Sequence, residues 1–199
     1  MAIKTTRALI VLGAFVAGLV LCFGVVMLVA GPSGSPIRPA AAAIGGPFRL
    51  TDQNGRPVTD EDFRGKPFLV FFGYTHCPDV CPTTLFDVSE VMRHLGPDAD
   101  KTAALFITVD PERDTPATLK DYLGSFDPHL RGITGAPDAV AAVAKEYRVY
   151  YKKVPTENGD YSMDHTAIVY LMDKEGRFVS PFSLRRPTQA SVADLKKYL

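Results

Sequence analysis

The run FFGYTHCPDVCP, residues 71–82, sets Cys77 and Cys81 four apart, each followed by a proline, directly after the apolar stretch KPFLVFF. A short, nearly continuous apolar run is what a central strand covered on both faces requires. Downstream, Leu85, Val88, Val91, Met92 and Leu95 recur at helical spacing until Gly96-Pro97 closes the segment. The order strand, cysteine loop, helix places two thiols at the carboxyl end of a strand, where ligands gather in an α/β sheet.

The same alternation continues along the chain. TAALFITVD (102–110) reads as a second buried strand, and TPATLKDYL as a helix with Thr115 as cap and Pro116 at its first position. A short strand over Leu130 to Ile133 precedes the helix APDAVAAVAKEY. TAIVYLMDKEGRFVS reads as two strands joined by a Lys-Glu-Gly turn, and TQASVADLKKYL as a terminal helix. Before the first buried strand, FRLTDQNGRPVT carries an Asn-Gly pair between short alternating runs, the signature of a β-hairpin. Strands alternating with crossover helices predict an α/β sheet with helices on both faces.

Pro78 and Pro82 fit the start of a helix, because amides of the first turn have no internal acceptor. Free N–H groups and the helix dipole there favour negative charge, so at least one thiol is expected to ionise more easily than free cysteine. Residues four apart on one helical turn lie roughly 6 Å apart between Cα atoms, close enough for a disulfide. The same spacing can direct both sulfurs at one point, and soft thiolates select Cu(I) or zinc over hard cations. A structural bridge, a redox couple and a metal site all remain open from the pair alone, although so small a loop would stabilise the fold only weakly.

Residues 8–30, ALIVLGAFVAGLVLCFGVVMLVA, contain no charge. As a helix they would extend roughly 35 Å at about 1.5 Å per residue, enough to cross a hydrocarbon layer of about 30 Å. We read them as an uncleaved transmembrane anchor, the alternative being cleavage near the alanines at 40–43. Lys4 and Arg7 precede the span, and no charge follows before Arg38, so residues 1–7 are assigned to the cytoplasm. Residues 31–47, rich in Gly, Pro, Ser and Ala, form a flexible linker, and 48–199 the exported domain. No Arg-rich, Ser-rich transit peptide precedes the span, which points to a bacterial inner membrane with the soluble domain in the periplasm. Cys22 follows the bulky Leu21 rather than a small residue, so it reads as a side chain facing lipid rather than a lipid-modification site.

Lys+Arg and Asp+Glu both number 22, and no basic stripe is present, which argues against nucleic acid as a partner. Export also changes the meaning of the cysteine pair, since thiols outside the cytosol tend to be oxidised unless chemistry or a metal keeps them otherwise.

GYTHCPDVCPTTL, ITVDPERDTPATL and YSMDHTAIVYLMD, in that order after a single N-terminal span, closely resemble the Sco/SenC family of copper-binding proteins needed to assemble cytochrome c oxidase. The likeness covers roughly residues 46–199. It implies a thioredoxin-like sheet with flanking helices and an N-terminal β-hairpin. It also implies copper, as Cu(I) or Cu(II), held by Cys77, Cys81 and His165, with Cys77 and Cys81 available as a redox-active pair. Thioredoxin-like proteins place a cis-proline facing the active cysteines just before the equivalent strand, and His165 stands there in this sequence. Two thiolates and a neutral imidazole make a soft set suited to Cu(I) and able to accommodate Cu(II).

The function so implied is a membrane-anchored copper chaperone that delivers to the dinuclear copper centre of cytochrome c oxidase subunit II. The alternative is a thiol-disulfide oxidoreductase that reduces the acceptor's cysteines. Other periplasmic copper chaperones or thioredoxin-like reductants are the further partners either role would need.

Several residues near these motifs are read as structural. His76 adjoins Cys77 and would point to the opposite face of a strand. His94, late in a helix, and His129, in a loop, are assigned to the surface. Met163 offers a soft sulfur but is expected to pack. Asp79 is read as a helix cap or a tuner of the thiols, and Asp110 as a turn residue or a partner contact. EYRVYYKK (146–153) reads as an edge strand protected by lysines or as a docking patch.

Overall fold

The structure, a computed structural model, describes residues 15–25, 44–157 and 159–199. Residues 15–25 form a helix, α1, whose Phe15, Leu19 and Phe23 are exposed. The rest of the predicted span 8–30, and residues 31–43 of the predicted linker, lie outside the described residues. Among the described residues no helix is long and apolar enough to cross a membrane. Residues 44–157 and 159–199 belong to a second, separate compact unit.

Its framework is a seven-stranded mixed sheet in the order Pro57–Thr59 (β2), Arg49–Asp52 (β1), Leu130–Thr134 (β5), Ala103–Thr108 (β4), Phe68–Gly73 (β3), Val169–Met172 (β8), Phe178–Pro181 (β9). β3 (Phe68–Gly73), β4 (Ala103–Thr108) and β5 (Leu130–Thr134) run parallel at its centre. β3 and β4 are buried at every position, as their unbroken apolar runs require. The hairpin β1 (Arg49–Asp52) and β2 (Pro57–Thr59) adds antiparallel to β5. Its turn is held by the Asp52 carboxylate, which accepts from the Asn54 and Arg56 amides at 2.8 and 2.9 Å. Folded contacts reach back beyond Phe48: Ile44 packs on the core and the Gly45 amide donates to the Glu146 carbonyl at 2.9 Å.

The crossovers between the parallel strands carry α2 (Val80–Leu95) and α3 (Pro116–Leu123) onto one face of the sheet. There Phe106 packs against Phe71 and Tyr122, and Gly132 leaves room for Leu119 and Leu123 of α3. Thr115 caps α3 as predicted, accepting from the Thr118 amide at 3.2 Å. α4 (Pro137–Glu146) belongs to the other face, where Tyr147 at its end packs on Phe72 and Tyr170. β8 (Val169–Met172) pairs antiparallel with β3, and β9 (Phe178–Pro181) completes that edge. The terminal helix α5 (Thr188–Lys196) packs against α2.

One element departs from the sequence reading. β6 (Tyr151–Pro155) and β7 (Tyr161–His165) form a separate antiparallel hairpin outside the main sheet. His165 therefore closes β7, with three residues between it and β8, rather than opening the strand that follows. The helix after the cysteine loop also starts later than a shared helical turn would need. Cys77 lies in the loop before α2 and only Cys81 lies in its first turn.

Candidate metal centre

The carboxyl end of β3 builds the site. After Gly73 the chain leaves the sheet, turns through Thr75 and His76, and re-enters helix at Val80. Gly73 is required by a close approach: a Cβ there would lie 2.8 Å from the Cys81 sulfur and 2.6 Å from the Phe106 ring. Cys81 is fully buried, while Cys77 is half-buried, and both thiols are free. The Cys77 sulfur accepts the Cys81 amide at 3.4 Å, so it takes one of the free N–H groups of α2. Asp79, at the cap position, makes no side-chain capping bond.

His165 reaches this point from the end of β7. Its Nε2 lies 3.7 Å from the Cys81 sulfur, and its Nδ1 lies 3.1 Å from the Thr166 carbonyl. With the carbonyl taking the proton on Nδ1, the lone pair of Nε2 faces the sulfurs, as a metal-ligating histidine requires. Phe71 and Tyr74 stand edge-on to the ring, with centroids 6.3 and 5.9 Å away. Ligand atoms of Cys77, Cys81 and His165 all lie within 4.8 Å of one another. Among the described residues no other cluster of three such side chains forms.

Burial sets the protonation of both inner groups. It lowers the His165 pKa, with the Thr166 carbonyl and Asp164 opposing, so the ring is held neutral. It pushes the Cys81 thiol well up, with Cys77 and Asp114 adding in the same direction. At Cys81, therefore, the helix start does not make the thiol easier to ionise. A sulfur removed from water loses more stabilisation of its anion than the first turn of a helix returns. Two soft sulfurs and a neutral imidazole suit Cu(I) or zinc, and a soft cation would displace the thiol proton.

The remaining named residues fall outside the cluster. His76 is half-exposed in a turn rather than a strand, and its Nδ1 pairs with the Thr75 hydroxyl at 3.1 Å. His94 sits on the surface of α2 against the Glu90 carbonyl, and His129 lies between Asp127 and Asp100. Met163 is buried in β7. Asp110 is buried and accepts from the Tyr161 hydroxyl at 2.8 Å and from Arg113, which leaves no surface for a partner. Sequence reasoning passed over Asp114, which is fully buried and accepts from the Thr75 amide and hydroxyl at 3.0 and 2.6 Å. Thr108 donates to it at 2.6 Å. The signal was a second aspartate four residues after Asp110 in a loop that turn chemistry alone already explained.

Known proteins share this fold. The structure of Bradyrhizobium japonicum ScoI with copper bound superposes with a TM-score of 0.77 at 68% identity, covering 79% of this chain and 100% of that one. Arabidopsis thaliana ScoI with copper bound gives a TM-score of 0.73 at 38% identity, covering 78% and 98%. The mitochondrial protein SCO2 of Saccharomyces cerevisiae (strain ATCC 204508 / S288c) is 40% identical over 163 residues, 80% of this chain and 54% of that protein. The chain thus spans about half the length of that relative. The SCO1/SenC family model matches residues 37–199, which takes in all three sequence motifs and the whole cluster. By that match and by its thioredoxin-like fold, the chain belongs to the SCO1/SenC family.

Proposed function

We propose that this chain is a copper chaperone that holds one copper ion through Cys77, Cys81 and His165 and passes it to cytochrome c oxidase during assembly. The observation that carries the reading is the convergence of three soft ligand atoms, all within 4.8 Å, at the rim of an otherwise apolar core. Three protein ligands leave a metal open to an incoming ligand, which transfer by exchange requires. The cargo fits the donor set: thiolates and neutral imidazole prefer Cu(I), and imidazole also suits Cu(II). Copper-bound ScoI proteins of the same fold support it.

The acceptor in this reading is the dinuclear copper centre of subunit II. Residues 8–30 anchor the chain in a bacterial inner membrane, residues 1–7 face the cytoplasm, and 31–47 tether the periplasmic domain 48–199. Confining donor and acceptor to one membrane raises their effective concentration.

A second reading follows from the asymmetry of the cysteines, one half-buried and one fully buried. The Cys77 thiolate would attack an acceptor disulfide to form a mixed disulfide, and the Cys81 sulfur would displace the acceptor thiol. The pair is oxidised by two electrons and the acceptor disulfide becomes two thiols. His165→Ala separates the readings. It removes stable copper from the chain while Cys77 and Cys81 still cycle between dithiol and disulfide. Oxidase assembly that survives this substitution would overturn delivery and favour exchange.

A further inference from the structure

The hairpin that carries His165 is a poor candidate for holding its own position. It lies outside the main sheet, β6 is exposed along nearly its whole length, and in β7 only Met163 is buried. A two-stranded ribbon alone is marginally stable in water. At its base the Thr166 amide donates to the Tyr150 carbonyl at 2.9 Å, and the Ser162 hydroxyl of β7 meets the Tyr74 hydroxyl at 2.9 Å. On β6 the exposed Lys153 donates to the exposed Glu112 at 2.6 Å, a surface pair that holds little by itself. The end of the ribbon away from His165 needs a stronger anchor.

That anchor lies in the loop between β4 and α3. Arg113 donates through Nη1 to the Tyr161 carbonyl at 3.0 Å and to the Asp160 carboxylate at 3.2 Å. Its guanidinium lies 3.7 Å from the centroid of the Tyr161 ring and 5.8 Å from that of Tyr74. Its Nε is bound to the buried Asp110 carboxylate, which also accepts from the Tyr161 hydroxyl at 2.8 Å. Tyr161 opens β7 and His165 closes it, about 13 Å apart along a strand. From the same loop, Asp114 grips Thr75, two residues before Cys77. One loop thus touches both the segment bearing the sulfurs and the segment bearing the imidazole.

We propose that Arg113 is a positioning residue, which, through Asp110 and Tyr161, fixes the β6–β7 hairpin and so sets the reach of His165 to the cysteine sulfurs. A charged, forked donor stacked between two rings suits this task, because it fixes direction as well as distance. The inference rests on the reading that Cys77, Cys81 and His165 hold copper, and its test separates the two.

Full chains of wild type, Arg113→Ala, Tyr161→Phe and a remote surface control, Arg177→Ala, are compared. In copper-free Arg113→Ala, amide exchange across Tyr161–His165 should speed on the order of tenfold as the hairpin opens locally. Copper affinity should fall roughly 10–100-fold, as for lost outer partners of a metal ligand. The imidazole nitrogen coupling in the Cu(II) electron-spin resonance should weaken, while the midpoint potential of the cysteine pair stays put. Tyr161→Phe removes one hydroxyl, so it should fold and shift the same readouts less. Exchange and affinity within twofold of wild type in both variants would overturn the proposal, as would an equal loss in Arg177→Ala or a cysteine potential that moves with affinity. A wild type that takes no copper would instead end the chaperone reading, and the exchange rates alone would then decide the anchor.

Discussion

The Cys81 sulfur and the His165 Nε2 lie 3.7 Å apart although 84 positions separate them in the chain. Neither residue could reach the other without two different supports. Cys81 is placed by the end of β3 and the first turn of α2, and His165 by a hairpin that stands apart from the sheet.

Gly73→Ala should disturb this meeting from the sheet side. The added methyl would press on the Cys81 sulfur at 2.8 Å and on the Phe106 ring at 2.6 Å, and Phe106 is locked among Phe71 and Tyr122. Overpacking of this kind costs about 1–3 kcal/mol. A lowered melting temperature together with weaker copper binding is expected. A variant that melts and binds like wild type would show that the close approach does not constrain the site.

Asp114→Asn tests the grip on the cysteine loop. The carboxylate takes three hydrogen bonds, two from Thr75 and one from Thr108, and an amide must turn a donor toward at least one of those groups. Leaving a buried partner unmatched costs about 1–3 kcal/mol. Faster amide exchange at Thr75 to Cys77 and a lower denaturant midpoint are the expected readings. Unchanged exchange there would contradict the role given to Asp114.

The motifs on long, strongly periodic segments were legible in the sequence. The apolar runs of β3 and β4, the Asn-Gly hairpin and the Thr115-Pro116 helix start all stand where the residue pattern put them. The β6–β7 hairpin was not legible, because β6 is exposed along nearly its whole length and β7 buries only Met163, so neither shows a clean alternation of polar and apolar residues. Nor was the direction of the Cys81 ionisation, which depends on burial beneath Gly73 and Phe106 rather than on its place in the helix. Asp110, Arg113 and Asp114 looked like turn residues, since their partners are Tyr161, Asp160 and Thr75 in remote segments.

His129 gives a pH signature away from the metal centre. Burial alone would lower its pKa, but hydrogen bonds with Asp127 and Asp100 outweigh it and raise the folded value above 6.5. The folded state then binds the proton more tightly than the unfolded chain, so this stabilisation is complete below about pH 6.5 and is lost as pH rises through the folded value. The melting-temperature gap between wild type and His129→Gln should therefore narrow as pH is raised from about 6 to 8. A gap that stays constant or widens over that range would contradict the assignment.

The central claim is tested most directly by X-ray absorption at the copper edge on the copper-loaded chain, with His165→Ala and Cys81→Ser alongside. Two sulfur scatterers and one imidazole nitrogen are predicted for wild type, with the nitrogen lost in the first variant and one sulfur lost in the second. A shell of oxygen and nitrogen alone, or a sulfur and nitrogen count that neither substitution changes, would contradict the account.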